Sequence, residues 1–197
     1  MLDYEKRYSQ KIIAGIDEAG RGPLAGPVGC ACVIMPLDDD KIIEGINDSK
    51  KLTEKKRETL FELIKERALS YSIVEIDEKT IDEINILQAT RLGMKRALES
   101  MKIKPDMVLI DAVKIDTDIA QENIIKGDAL SYNIAAASIL AKVYRDKLMV
   151  EMDKTYPQYQ FSKHKGYGTK LHIELLKKFG KSAIHRESFI KNFIKSA

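Results

Sequence analysis

The chain has 197 residues, of which 44% are hydrophobic and 32% are charged, and its net charge is +3. This length supports one sizeable core with at most a small appended lobe. The apolar runs are too short to cross a bilayer and the N-terminal stretch lacks the apolar core of a signal peptide, which argues against a membrane protein and a secreted one. A cytoplasmic location is therefore expected.

Predicted strands dominate the first part of the chain and then alternate with helices. The apolar runs predict strands at 12–17, 28–35, 71–76, 107–111 and 123–126, with a further short strand near Ile42 and Ile43. Helical periodicity and capping residues predict helices at 53–69, 87–101, 131–155, 170–179 and 186–195, with a short helical turn near Ile81. This order predicts an α/β fold, a mixed sheet with a helical C-terminal cap.

The connections predict how the first strands pair and how many domains there are. A glycine-rich turn, with no helix-length segment, joins the first two strands, so we expect them to be antiparallel. No repeat or long linker interrupts the chain. We therefore expect one domain, with residues 1–156 as its main part and residues 157–197 as a helical C-terminal part.

Charge is distributed unevenly along the chain. Residues 161–197 contain nine Lys/Arg against two Asp/Glu, a local charge of +7, whereas the preceding residues sum to −4. A basic region beside an acidic body can meet a polyanion with one part and hold cations with the other. A solvated helical surface would give the same pattern, so charge alone does not separate the two interpretations.

The two cysteines, Cys30 and Cys32, lie two residues apart in a predicted strand. Their side chains then point the same way about 6.5–7 Å apart, at or beyond the limit for a disulfide. Two thiols alone also make a poor metal site. We expect both cysteines to be buried and reduced.

Acidic residues follow three of the predicted strands. Asp17 and Asp111 end apolar strands, Glu18 follows Asp17, and Asp128 lies just beyond the strand at 123–126. Ligands collect at the carboxyl ends of strands in open α/β sheets, and oxygen donors without nearby His or Cys suit Mg²⁺ or Mn²⁺. Each acid alone could instead be a strand-end turn residue or, for Asp128, a helix N-cap.

The turn after the first strand is rich in glycine, with Gly20 and Gly22 on either side of Arg21. It has neither the Lys-Ser/Thr pair of a Walker motif nor the glycine spacing of a Rossmann motif. Glycines at these positions would let backbone amides approach a ligand closely. A plain tight turn remains an equal alternative.

Two further segments are candidates for phosphate and nucleic-acid contacts. The segment 160–172 interleaves lysines, including Lys163 and Lys165, with aromatic residues such as Tyr167, which suits nucleic-acid binding. In DSKKL, Ser49 and Lys50 could contact a phosphate before a helix. A basic surface loop and a capping loop are the respective alternatives. The histidines have no metal spacing and are predicted at the surface or the core edge: His164, His172 and His185.

Taken together, these stretches resemble the type 2 ribonucleases H. The resemblance covers nearly the whole chain and rests on GIDEAGRGPLAGPV, DSKKL, NILQATRLGM, VLIDA, KGDA, AAASILAKVYRD and HKGYGT. No motif residue departs from the family pattern. Arg21 between two glycines favours type 2 over the sister type 3 enzymes.

The resemblance implies a fold and an activity. The fold would be an RNase H-like mixed β-sheet flanked by helices, with residues 1–156 as the catalytic domain and 157–197 as its helical substrate-binding part. The activity would be cleavage of the RNA strand of RNA–DNA hybrids and incision at single ribonucleotides in duplex DNA, in replication and repair. Attack by a metal-activated water 5′ to the ribonucleotide, with two cations, would leave a 3′-hydroxyl and a 5′-phosphate.

The resemblance also implies roles for individual residues. The metal-binding catalytic acids would be Asp17, Glu18, Asp111 and Asp128, with Mg²⁺ or Mn²⁺ as cofactor. The turn Gly20, Arg21 and Gly22 would sense the ribose 2′-hydroxyl, and Tyr167 would pack on the neighbouring deoxyribose. Candidates for phosphate contacts are Ser49, Lys50, Lys163 and Lys165. The tail FIKNFIKSA has no clear motif for binding a replication clamp, and nothing in the chain demands a dimer, so a monomer is expected.

Two other classes of protein share some of these features. Sugar-kinase and actin-like phosphotransferases also open on a strand ending Gly-Ile-Asp and a glycine turn, with carboxylates holding Mg²⁺. They usually need a second similar domain, for which this chain is too short. A non-catalytic nucleic-acid-binding module would bind a duplex without needing Asp17 or a metal.

Overall fold

A computed structural model describes residues 1–8 and 11–194 of the chain. It contains five strands: Ile13–Ala19 (β1), Val28–Ile34 (β2), Ser70–Ile76 (β3), Met107–Asp111 (β4) and Ala120–Ile124 (β5). They form one sheet in the order β3-β2-β1-β4-β5. The pairs β1–β2 and β2–β3 are antiparallel, whereas β1–β4 and β4–β5 are parallel. The predicted mixed sheet and its antiparallel first pair are confirmed.

Helices cover both faces of the sheet. Within the described residues they are Asp3–Lys6 (α1), Glu54–Arg67 (α2), Glu78–Glu99 (α3), Gly127–Leu130 (α4), Tyr132–Thr155 (α5), Phe161–His164 (α6), Lys170–Phe179 (α7) and Glu187–Ile190 (α8). Short 3₁₀ turns lie at Asp39–Lys41, Ser49–Lys51 and Pro157–Tyr159. In this part of the chain no helix has both the length and the apolar character needed to cross a membrane.

Two core clusters hold these layers together. On one face, α2 and α5 share a cluster with β2, to which Leu60, Ile64 and Leu140 contribute. On the other face, α3 packs on the opposite side of β1 and β2, where Ile16 and Met94 are fully buried. The small residues near the start of α5 let this helix lie close across β1 and β2. The end of β1 is therefore fixed between α5 and the neighbouring strands.

Local capping explains where the long helices begin and break. Thr53 accepts a hydrogen bond from the Lys56 N–H at the start of α2, and Ser131 does the same for Ile134 in α5. Helix α3 breaks at Asn85, whose φ of 66° is left-handed and whose side chain caps the second segment. This break confirms the prediction of a short helical turn followed by a longer helix.

The structure differs from the prediction at three places. No strand forms near Ile43, because the Tyr132 hydroxyl rather than a neighbouring strand accepts its backbone N–H, at 2.8 Å. Strand β5 begins at Ala120 and ends before Lys126, whose left-handed φ of 60° stops it. The last predicted helix is limited to Glu187–Ile190, and its predicted end at residue 195 lies outside the described residues. Both cysteines are buried and free, as expected.

Candidate active site

Three carboxylates meet at one edge of the sheet. The parallel register aligns Ile16 of β1 with Ile110 of β4, so the next residues, Asp17 and Asp111, lie side by side. Asp128 arrives from the first turn of α4, which follows β5. A carboxylate oxygen from each of the three acids lies within 4.8 Å of the other two. The structure thus brings together three of the four predicted acids.

Burial and mutual repulsion make this cluster costly without a cation. Burial, and then the negative charges of Glu18 and Asp111, raise the pKa of Asp17 well above its usual value. The Glu18 N–H, which donates to Asp17 Oδ1 at 2.7 Å, acts in the opposite direction. Burial and the nearby Asp48 also raise the pKa of Asp128, against the lowering effect of Lys50. A divalent cation would relieve this repulsion.

Glu18 lies beside the cluster but is not one of its three members. Its Oε1 is 3.6 Å from Arg21 Nη1, whereas its Oε2 is buried without a hydrogen-bond partner in the described part of the chain. Burial raises the pKa of Glu18, with Arg21 opposing the shift. An orphaned buried carboxylate oxygen beside three other carboxylates, all oxygen donors, fits a hard cation such as Mg²⁺ or Mn²⁺.

The DSKKL segment reaches the same edge with one of its two predicted residues. Lys50 Nζ lies 3.4 Å from Asp128 Oδ2, and the Lys50 side chain is 80% exposed. The Ser49 hydroxyl is instead buried, 2.8 Å from the Ser138 hydroxyl of α5. Arg57 holds the segment by donating to the Ser49 carbonyl at 3.0 Å. Lys50, rather than the Ser49 hydroxyl, is therefore accessible from solvent.

The glycine loop, residues 20–27, lies between two C-terminal segments. The Leu24 N–H donates to the Gly166 carbonyl at 2.8 Å, next to Tyr167. On its other side the loop exchanges backbone hydrogen bonds with residues 184–186, and Ala25 forms a β-bridge with His185. The first and last parts of the chain are thus joined directly beside the acidic cluster.

The tyrosine turn, residues 163–168, presents its side chains unequally. Tyr167 is 39% exposed, and the centroid of its ring lies 5.5 Å from Lys142 Nζ. Lys163 is exposed, but the Lys165 side chain is only 17% exposed and its ammonium donates to the carbonyl of Ser162. Of the two predicted phosphate contacts in this turn, Lys163 is the one that projects into solvent.

The prediction for the histidines is wrong, since all three are buried. His185 Nδ1 accepts from the Ser182 N–H, His172 Nδ1 donates to the Tyr167 carbonyl, and the two Nε2 atoms are 3.0 Å apart. Burial lowers the pKa of His172 and of His185 to about 4, so both are neutral at pH 7. Sequence spacing does not reveal this chain of hydrogen bonds, because the two rings come from different segments of the C-terminal part.

Three cations near the glycine loop or the tyrosine turn were also missed from the sequence: Lys142, Arg145 and Arg186. Lys142 and Arg145 lie one turn apart in α5 and both approach the Tyr167 ring. Arg186 is buried under the glycine loop. Their spacing in α5 offers a weak signal for the first two, whereas nothing in the local sequence marks Arg186.

A five-stranded sheet of this order, with acids at the ends of its two adjacent parallel strands, has the architecture of the RNase H-like fold and carries a carboxylate site suited to a divalent cation. The family model for ribonuclease HII matches residues 14–192. The ribonuclease HII of Acetivibrio thermocellus is 58% identical over 98% of this chain and 77% of its own length. The chain therefore belongs to the ribonuclease HII family and is a ribonuclease H enzyme.

Solved structures agree with this assignment. Ribonuclease H2 from Pyrococcus horikoshii is 29% identical, with a TM-score of 0.75 over 93% of this chain and 99% of its own. RNase HII from Archaeoglobus fulgidus, solved in complex with PCNA, is 25% identical, with a TM-score of 0.77 over 94% of this chain and 98% of its own. The predicted RNase H-like fold is confirmed.

Proposed function

We propose that this enzyme cleaves the RNA strand of RNA–DNA hybrids and incises duplex DNA on the 5′ side of a single embedded ribonucleotide. The products would carry a 3′-hydroxyl and a 5′-phosphate. The observation that carries the proposal is the convergence of Asp17, Asp111 and Asp128 within 4.8 Å, beside a glycine loop that is bonded to the tyrosine turn. A metal site next to a glycine turn and an exposed aromatic ring suits a phosphodiester beside a ribose.

The acids would hold two cations, Mg²⁺ or Mn²⁺. The proposed ligands are Asp17, Glu18, Asp111 and Asp128. When bound, the cations would supply an activated water and stabilise the leaving 3′-oxygen. The protein's own contribution is to hold Asp17 and Asp111 on adjacent strands of a rigid sheet and to bury Asp17, so that the carboxylates need little rearrangement on binding.

The glycine loop would distinguish ribose from deoxyribose. A Cβ atom at Gly22 would meet nothing within 4 Å, so the protein itself does not require a glycine at this position. The open space at Gly22 is therefore available for the sugar of a bound ribonucleotide. Gly20 and Arg21 complete the proposed sensor, with Arg21 held 3.6 Å from Glu18 at the edge of the acidic cluster.

Basic and aromatic side chains would position the duplex. Tyr167 is proposed to pack on the deoxyribose that follows the ribonucleotide. Lys50 and Lys163, both exposed, are the best placed of the proposed phosphate contacts. Ser49 and Lys165 remain proposals. Ser49 would contact a phosphate through its backbone N–H, which has no acceptor in the described chain, and Lys165 through its partly exposed ammonium, because its backbone N–H already donates to the Phe161 carbonyl.

Further proposals concern the domain organisation, oligomeric state, location and partners of the enzyme. We propose residues 1–156 as the catalytic part and 157–197 as a substrate-binding part of one domain, acting as a monomer in the cytoplasm. The partners would be RNA–DNA hybrids and ribonucleotide-containing duplexes, with no membrane. The Archaeoglobus relative is solved with PCNA, but no clear clamp motif is found in FIKNFIKSA, whose last three residues lie outside the described chain, so a clamp is not part of the proposal.

One digestion tests the function. The protein is incubated with Mg²⁺ or Mn²⁺ and one of three duplexes: all-DNA, DNA with one ribonucleotide, or an RNA–DNA hybrid. We expect cleavage of the last two only, with the single incision mapped 5′ to the ribonucleotide. Cleavage of all three or of none would refute the proposal, and tight ATP binding without cleavage would favour a phosphotransferase.

Replacing Tyr167 with Ala is expected to lower kcat/KM for the single-ribonucleotide duplex by about 10-fold to 100-fold, because loss of stacking displaces the scissile phosphate. Affinity for all-DNA duplex should change by less than about threefold, since phosphate contacts supply most of it. Tyr167→Phe, which keeps the ring, is the matched control and should remain near wild type. An unchanged incision rate in Tyr167→Ala would rule out this role.

A further inference from the structure

Two arginines are buried beside the glycine loop without a carboxylate partner. Arg186 is 0% exposed and Arg145 is 1% exposed. In the ranges 1–8 and 11–194, neither guanidinium lies within 4.0 Å of an acidic oxygen. Burying a charge is costly unless its donors are satisfied. The groups that satisfy these two arginines therefore indicate what the arginines do.

All six hydrogen bonds that the two guanidiniums donate end on backbone carbonyls. Arg186 donates to the carbonyls of Gly20 at 2.6 Å, Arg21 at 2.9 Å and Gly26 at 2.9 Å. Arg145 donates to the carbonyls of Pro27 at 2.9 Å, Ala25 at 3.1 Å and Lys165 at 2.9 Å. Five of these carbonyls belong to the glycine loop and the sixth belongs to the tyrosine turn.

The bonds from Arg186 orient two peptide units of the loop. In a planar trans peptide the N–H points opposite to the preceding C=O, and no cis peptide occurs among the described residues. The Gly20 carbonyl faces Arg186, so the Arg21 N–H of the same peptide unit points away from Arg186. The Arg21 carbonyl also faces Arg186, so the Gly22 N–H points away from Arg186 as well. Neither N–H has a hydrogen-bond acceptor in the described chain. Two adjacent donors are thus turned away from the buried side of the loop.

Arg145 joins the same loop to the tyrosine turn. Its guanidinium bonds both Ala25 and Lys165, two residues before Tyr167, and lies 5.7 Å from the centroid of the Tyr167 ring. A Cβ atom at Gly20 would fall 1.9 Å from its Nε, so the loop is packed directly on this side chain. One rigid group therefore sets the separation between the loop and the ring.

Burial lowers the pKa of both guanidiniums, and Arg186 keeps its charge at neutral pH. Burial, followed by the nearby Arg145, lowers the pKa of Arg186 to about 9, still above pH 7. Burial also lowers the pKa of Arg145. A guanidinium is a planar fork with fixed donor directions, whereas a lysine ammonium is a single point charge. The fixed directions of the fork therefore let each arginine hold three carbonyls in a defined arrangement.

We propose that Arg186 and Arg145 are positioning residues for ribose recognition. Arg186 aims the N–H groups of Arg21 and Gly22 at the 2′-hydroxyl oxygen, and Arg145 fixes the distance from that donor pair to Tyr167. The inference rests on the proposed function and names the groups by which that function distinguishes ribose. The 2′-hydroxyl can accept these hydrogen bonds, and deoxyribose has no oxygen there.

The test uses Arg186→Lys, which keeps a basic side chain and loses the fork. Fluorescence anisotropy in EDTA gives Kd for a DNA duplex with one ribonucleotide and for the same duplex in all-DNA form. We expect Arg186→Lys to reduce the preference for the ribonucleotide duplex by about tenfold, as expected from the loss of one or two hydrogen bonds. The Kd for all-DNA should change by less than about twofold, because phosphate contacts remain. Leu60→Ala, a core substitution in α2, controls for general destabilisation and should keep the wild-type preference.

The outcomes separate the two proposals. If the wild-type protein shows no preference for the ribonucleotide duplex and does not incise it, the proposed function fails. If the wild type shows the preference and Arg186→Lys retains it in full, the inference is overturned while the function stands.

A measurement on the wild type covers the case in which Arg186→Lys does not fold. Backbone NMR should show larger shifts of the Arg21 and Gly22 amide protons with the ribonucleotide duplex than with all-DNA. Equal shifts with both duplexes would overturn the inference.

Discussion

Asp17→Asn is expected to lower kcat/KM for the one-ribonucleotide duplex by about 10³-fold or more. A bound metal contributes several kcal/mol of transition-state stabilisation, and each 1.36 kcal/mol corresponds to about tenfold in rate. Asn offers one neutral oxygen in place of a charged carboxylate, at the centre of the acidic cluster. Cleavage is measured under single-turnover conditions with Mg²⁺ and with Mn²⁺. Asp40→Asn, on an exposed turn, is the matched control and should cleave normally.

The same substitution should stabilise the metal-free protein. The pKa of Asp17 is raised in the folded state, so the folded protein binds this proton more tightly than the unfolded chain does. Stability is therefore lost as the pH rises from the unfolded-state pKa through the folded-state pKa, so at pH 7 a buried acid, whose charge is disfavoured here, is a net cost. Removing that charge should raise Tm in EDTA, by about 2–4 °C for each kcal/mol gained in a chain of this size.

Metal addition should reverse the order of the Tm values of the wild type and Asp17→Asn. Mg²⁺ or Mn²⁺ should raise Tm of the wild type, since a ligand that binds only the folded state stabilises it, and should raise Tm of Asp17→Asn much less. Calorimetry with and without EDTA measures both effects. A variant that retains cleavage, or that is less stable than wild type in EDTA, would contradict the assignment of Asp17 as a buried metal ligand.

The acidic cluster was predictable because its members end apolar segments. A strand that ends in Asp is visible in the sequence, and the carboxyl ends of adjacent parallel strands meet at one edge. The sequence pattern does not predict the register between β1 and β4. In the structure Ile16 pairs with Ile110, and this pairing places Asp17 beside Asp111. The resemblance to a family, rather than the spacing, supplied the ribonucleotide specificity.

The contacts that Arg186 and Arg145 make with the glycine loop were not predictable from local sequence. The bonds from Arg186 to Gly20 and Arg21 span 166 and 165 residues, and those from Arg145 to the loop span 118 and 120. An arginine in a helix that ends in charged residues, or in a basic tail, is usually exposed. Burial of Ser49, His172 and His185 has the same origin, since each depends on a partner segment that only the folded chain brings close.

Gly20 and Gly22 look alike in the sequence but differ in the structure, which makes them a matched pair for mutation. Gly20 has a left-handed φ of 98°, and an added Cβ would overlap Arg145 Nε at 1.9 Å. Gly22 has neither restriction: its φ is not positive and its Cβ would point into open space. The first glycine is required by the fold, whereas the fold does not require the second.

Gly20→Ala is accordingly expected to lower the free energy of unfolding by about 2–4 kcal/mol, through backbone strain and overpacking. Gly22→Ala should change it by less than about 0.5 kcal/mol, as for an ordinary surface substitution. Its effect should fall on catalysis: a methyl group in the space proposed for the ribose should lower kcat/KM for the one-ribonucleotide duplex by about 10²-fold, since a displacement of about 1 Å is enough for such a loss.

Urea unfolding and single-turnover incision, measured on both variants, separate stability from recognition. Gly22→Ala with wild-type stability, wild-type affinity for all-DNA and impaired incision would identify this position as a contact for the ribose. If Gly22→Ala incises at the wild-type rate, the ribose must bind elsewhere, because a Cβ beside a tightly held 2′-hydroxyl would displace it. A large loss of stability in Gly22→Ala would instead mean that the loop packs against the protein on its outer side as well, which would remove the space on which the ribose assignment depends.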